Sequence, residues 1–155
     1  MQDWRRVLVL VAGIGALLAA SVRGESSEDG KAVFERRQDT MKRMGRPLYL
    51  GIGRVVKGKA PYGPDTVTAA ESVASLASTL DRTLFAADSN VAESRIKPEI
   101  FTANDHVYQL IAAVQTAAGK LVPAVKTGDT AAITSAYTAI ADACNACHTE
   151  FRKEE

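Results

Sequence analysis

Cys144-Asn145-Ala146-Cys147-His148, near the end of the chain, is the segment whose residue types and spacing can do chemistry. Cysteines three apart share one face of a helix. Two thiols so placed can reach the two vinyl groups of one porphyrin and close thioether bonds. A histidine directly after the second cysteine can turn an imidazole nitrogen onto the iron as proximal ligand. For these reasons Cys-x-x-Cys-His is the attachment pattern of a c-type haem. Two other chemistries use paired cysteines. A four-thiolate zinc site is excluded, because Cys144 and Cys147 are the only cysteines. A redox pair is expected near a βαβ pattern, usually opening a helix, whereas this pair closes a chain with no strand pattern. The reading is one covalent haem c on Cys144 and Cys147 with His148 as iron ligand; a disulfide is the alternative.

The elements that must position this segment read as helices. At the N-terminus, Arg5 and Arg6 precede an apolar stretch from Val7 to Ala20. That stretch is shorter than the ~20 residues a membrane-spanning helix needs and suits a secretory signal, with small residues at Ser21, Val22 and Gly24 for cleavage. Residues 1–24 are therefore read as a signal peptide, with an uncleaved membrane anchor as the alternative. Residues 25–155 are read as one domain. Within it, apolar residues recur at helical spacing in four segments divided by Gly and Pro. The first runs from about Glu28 to Val56, with Phe34, Met41, Met44, Leu48, Ile52 and Val55 on one stripe and a kink expected at Pro47. Lys57 to Gly63 reads as a loop, and Pro64 opens the second helix, whose stripe extends to Leu84. Ala86 to Lys97 reads as a longer surface loop. Pro98 opens the third, ended by Pro123 or Gly128. Asp129 caps the fourth, whose stripe of Ile133, Tyr137, Ile140, Cys144, Cys147 and Phe151 carries both cysteines.

This pattern predicts an all-α fold, an antiparallel up-down four-helix bundle with the haem near one end. Helices one and four become neighbours, so Met41 can approach the iron from the side opposite His148. The other histidine, His106, falls off the main stripe and reads as a surface residue; Tyr137 reads as core. Without residues 1–24 the chain keeps 16 basic and 17 acidic side chains, a formal charge of −1. That balance excludes a nucleic-acid-binding face built on basic excess. No nucleophile–base pair, acid dyad or phosphate loop points to an enzyme.

The mature chain resembles the class II c-type cytochromes, the family of cytochrome c-prime and its low-spin relatives. The likeness covers residues 28–155. It rests first on the haem motif closing the chain rather than opening it. Further matches are Arg37 to Lys42, the Lys57-Gly58 to Pro61-Tyr62 connection, Lys97 to Phe101, and Cys144 to Arg152. The resemblance implies Cys144 and Cys147 as thioether sites, His148 as proximal ligand and Met41 at the distal position. It also implies Arg37 beside a haem propionate and Arg152 beside the proximal histidine. A periplasmic location in a Gram-negative bacterium follows, with periplasmic redox proteins as partners and either a monomer or a homodimer.

Met41 separates two functions. As an iron ligand it makes the protein a six-coordinate electron carrier, the reading favoured by Lys42 and Gly45 beside it; Met44 is the reserve ligand. As an apolar cover it leaves a five-coordinate iron that binds NO or CO.

Overall fold

The computed structural model describes residues 29–154; the expected signal segment lies outside the described residues. Asp29 opens the first helix by accepting the Lys31 N–H at 3.2 Å, one of the orphan donors of a helix start. Helix α1 (Gly30–Arg46) runs into a π-helical stretch, Pro47–Ile52, and then α2 (Gly53–Val56), making one long rod. A proline inside a helix has no N–H to donate and crowds the carbonyl four residues back. Widening the turn relieves that conflict, so the kink expected at Pro47 takes the form of a π segment. Leu48 and Ile52 are buried within it.

The second rod, α3 (Pro64–Ser78), starts with proline in its first turn, and the Thr66 hydroxyl accepts the Gly63 N–H at 3.2 Å. It is shorter than its apolar stripe suggests. Leu80 and Leu84 are buried, but Arg82–Phe85 forms a 3-10 turn instead of a further helical turn. The third rod also differs from expectation. Pro98 opens only a 3-10 turn, Pro98–Phe101, and α4 begins at Asn104 and continues through Pro123 to Lys126. The Arg82 guanidinium explains the late start. It donates to the Ile100 carbonyl at 3.1 Å and to the Asn104 side chain, so the carbonyl an α-helix would offer to the Asn104 N–H is already engaged. The last rod, α5 (Thr130–Phe151), begins as expected, with Asp129 accepting the Ala131 N–H at 2.7 Å.

The rods form an antiparallel bundle in which α1 packs on α3, α3 on α4 and α4 on α5, with α5 returning against α2. The core is aliphatic: Leu48, Ile52, Val73, Val107, Leu121, Ile133 and Ile140 are almost fully buried. No described helix is long and apolar enough to cross a membrane. The ring close at one end of the bundle depends on Gly53, where a β-carbon would lie 2.9 Å from the Tyr137 hydroxyl.

The stretch between α3 and α4 is less of a surface loop than its composition suggests. Ser89 and Ser94 are buried, and segment 87–89 packs along α1. Gly30 touches the Asp88 backbone so closely that a β-carbon would collide with its carbonyl oxygen. Gly30→Ala should therefore push this segment off α1 and cost about 1–3 kcal/mol, read as a lower thermal midpoint. An unchanged midpoint would show that the segment does not dock there.

Candidate haem site

Helix α5 presents the three residues of the motif along one face. Cys144 is buried, while Cys147 and His148 are half-buried. Spacings of three and four residues stack them on consecutive turns. All three line a cavity of about 540 Å³ between α5, α4, α1 and the segment 85–96. Across it, the first rod contributes Met41 and Met44 from α1 and Leu48 from the π segment, of which Met44 and Leu48 are buried and Met41 half-buried. Phe85, Ile100 and Val114 complete apolar walls. At the Gly53 end the rods close: Tyr49 and Tyr137 meet edge to face, 6.4 Å between ring centroids. The bundle is thus pinched at one end and opened at the other.

The electrostatics of the motif favour neutral forms. Burial is the main cause raising both thiols, and Glu150 and Cys144 add to it for Cys147, which is pushed up to about 11. Redox-active Cys-x-x-Cys thiols are shifted the other way, so this pair lacks the thiolate character of a dithiol catalyst. The two thiols are not joined in a disulfide. Burial, helped by the Arg152 guanidinium, lowers the His148 imidazole below its ordinary value. Both effects favour the neutral ring, the form that offers a lone pair to a metal.

Arg37 lies against the same cavity. Only 5 % of it is exposed, and it is held by neutral acceptors. One guanidinium nitrogen donates to Leu84 O at 2.8 Å and Ser89 Oγ at 2.6 Å. The other donates to Ser89 O at 3.1 Å and Ser94 Oγ at 3.3 Å. Burial pulls it below the ordinary arginine value, yet it remains a cation. No described carboxylate pairs with it. Arg152 is exposed, lines the cavity and lies just beyond His148. It bridges antiparallel to Ile96, flanked by Lys97 N–H to Phe151 O at 2.8 Å and Lys153 N–H to Arg95 O at 2.7 Å.

Every residue singled out from the sequence, Cys144, Cys147, His148, Met41, Arg37 and Arg152, therefore borders one cavity. His106 does not. It is exposed and sits 2.7 Å from Glu150. The loop residues Ser89 and Ser94 were not legible beforehand, because their burial follows from Arg37 rather than from any pattern around them. The donor set fits haem. Two thiols three apart suit the vinyl groups, a neutral imidazole suits iron, and a buried cation without a counter-charge suits a propionate. The volume falls within the ~300–1,000 Å³ of cofactor pockets.

Fold and attachment segment together define a c-type cytochrome built on a four-helix bundle. The chain belongs to the cytochrome c′ family, a class II c-type cytochrome family, whose model matches residues 32–152. It is similar to a cytochrome c′ of Rhodocyclus tenuis, 30 % identical over 95 residues, which is 59 % of this chain and 71 % of that one. Among solved structures it resembles the cytochrome c′ of Thermochromatium tepidum, with TM-score 0.76 and 28 % identity, covering 83 % of this chain and 100 % of that one. It also resembles a nitric oxide complex of a cytochrome c′ variant from Alcaligenes xylosoxidans. There the TM-score is 0.73 and the identity 25 %, over 81 % of this chain and 98 % of that one. The cofactor is accordingly covalent haem c, with Cys144 and Cys147 the two cysteines present to carry it.

Arg37→Leu removes the donors that satisfy four acceptor contacts in segment 84–94. With charged hydrogen bonds worth about 1.5–3 kcal/mol each and partial rescue by water, the expected loss is about 2–4 kcal/mol in urea unfolding. A loss under about 0.5 kcal/mol, the size of an ordinary surface substitution, would mean that the arginine does not hold the segment.

Proposed function

We propose that this protein is a gas-binding haem c cytochrome of the periplasm, with His148 on one face of the iron and the other face covered but open to small ligands. The observation that carries the proposal is the wall facing α5. Met44 and Leu48 are locked in the core, while Met41 lies half-buried at the cavity edge, able to swing because methionine has three rotatable bonds. Haem iron supplies reversible binding of small gases and one-electron redox change. The polypeptide supplies the rest. Cys144 and Cys147 would fix a haem against α5, and the His148 imidazole would ligate its iron. Arg152 beside His148 favours the neutral imidazole. Arg37 offsets a propionate charge while bracing segment 84–94. Met41, Met44 and Leu48 exclude bulky ligands by their packed volume.

Membership in the cytochrome c′ family, and a relative characterised as a nitric oxide complex, support gas binding over the electron-carrier reading favoured from the sequence. The carrier reading keeps one observation in its favour: Met41 borders the same cavity as His148 from the facing rod, as a sixth ligand must. Neither reading makes the protein an enzyme.

A second copy of the chain is the proposed structural partner. Leu50 is 62 % exposed and lies with Gly51 and Ala69 in an open groove between the first rod and α3, an apolar feature a dimer would cover.

The ferrous holoprotein should show a broad high-spin band that sharpens with CO. Met41→Ala should raise CO affinity by about tenfold, or ~1.4 kcal/mol, by removing the hindering side chain. A sharp low-spin ferrous spectrum unmoved by CO, converted to high-spin by Met41→Ala, would replace gas binding by electron transfer.

A further inference from the structure

The glycines of the first rod differ in what a β-carbon would meet. At Gly30 it would collide with the Asp88 carbonyl, at Gly53 it would lie 2.9 Å from the Tyr137 hydroxyl, and at Gly51 3.2 Å from the Ala69 side chain. Neighbouring chain atoms crowd all three positions. Gly45 is not crowded in this way. It sits inside the rod one turn after Met41, half-buried, and lines the haem cavity. Its backbone is ordinary, since the positive-φ glycines among the described residues are Gly58 and Gly128. A β-carbon there would meet only the Tyr49 ring, at 3.8 Å, a normal van der Waals distance. Glycine inside a helix weakens the folding equilibrium about fivefold relative to alanine. Neither the backbone nor the packing of the chain calls for that cost at Gly45, so the open space serves what happens inside the cavity.

Helical side chains lean toward the N-terminus of their helix, so the patch left bare at Gly45 lies on the Met41 side of its Cα. Tyr49 bounds it one turn on, and no atom of Met41 comes within 4 Å of the β-carbon position. The rest of this wall cannot yield, because Met44 and Leu48 are only 4 % and 1 % exposed. We propose that Gly45 determines the gas response of the site: its missing side chain is the retreat into which the Met41 thioether folds so that a diatomic ligand can reach the iron. Methionine has the three rotatable bonds such a movement needs, and Met41 can make it without disturbing the buried core. The proposal rests on the gas-binding reading and adds to it how a covered face opens.

The test is a double-mutant cycle on the CO affinity of the ferrous holoprotein. Gly45→Ala fills the retreat and should lower the affinity about tenfold. The same change in a Met41→Ala background should alter it less than about twofold, because no side chain is left to retract. Met41→Ile keeps the bulk but is stiff at χ1; with Gly45 intact it should also lower the affinity about tenfold, and it serves where Gly45→Ala fails to load haem. Gly119→Ala, at an exposed glycine inside α4 and away from the cavity, should leave CO binding unchanged. Thermal midpoints give a second readout. Both glycine variants should melt at or above the unaltered protein, since alanine is the better helix former and no chain atom opposes the added methyl. An unchanged affinity in Gly45→Ala, or a Met41→Ile affinity at or above that of the unaltered protein, would overturn the proposal. So would a loss of equal size in both Met41 backgrounds, which would place the methyl against the haem itself, or a Gly45→Ala midpoint lower by about 4 °C or more. A ferrous spectrum of the unaltered protein that is low-spin and unmoved by CO would overturn the gas-binding reading, and the proposal with it.

Discussion

Three committed side chains within five residues of one helix, Cys144, Cys147 and His148, form the constraint on which the rest of the molecule depends. Two thioether bonds and one iron bond from these residues would leave a flat, rigid ring a single orientation against α5. Nothing else in the bundle can choose where the ring goes; the other elements can only make room. The first rod does so by leaning away from α5 at the Cys144 end and meeting it at Gly53 and Tyr137. The π segment at Pro47–Ile52 lies between these regions, where the rod passes from lining the cavity to closing the core. Widened turns reset the side-chain register, which lets Leu48 and Ile52 stay buried on either side of the change.

Closing the open end falls to the segment between α3 and α4. Leu84, Phe85 and Ile100 anchor it in the core, and Arg37 holds its polar middle with a buried fan of hydrogen bonds. The Ile96–Arg152 bridge then ties the far end of the segment to the residues just past His148. The two faces of the site are thereby linked through Ser94, which touches Arg37 on one side and Lys153 on the other. Binding energy for the cofactor adds to the stability of a protein so arranged, because the unfolded chain lacks this shape.

Much of this was legible in the sequence, and two of the exceptions share a cause. The haem motif and four helical stripes needed only local spacing, and Asp129 capped where its position said it would. Two errors arose where one long polar side chain overrode local preference. Arg82 delayed the start of α4 past Pro98 by engaging the Ile100 carbonyl. Arg37 drew Ser89 and Ser94 inside from a stretch whose Asp88-Ser89-Asn90 reads as surface. Neither guanidinium announces its target, because each reaches across tens of residues. Met41 marks a different limit. A thioether beside iron and a thioether plugging a gap share one residue type and one spacing, so the distinction lies in an ångström or two of approach.

The most direct test of the account is the mass of the C-terminal peptide spanning Cys144 to His148, released from protein matured in an exporting host with a haem-attachment apparatus. The account predicts a single species heavier by one haem, with no free thiol and an absorption band that travels with the peptide. A peptide of unmodified mass, or one lighter by two hydrogens through a Cys144–Cys147 disulfide, would contradict it.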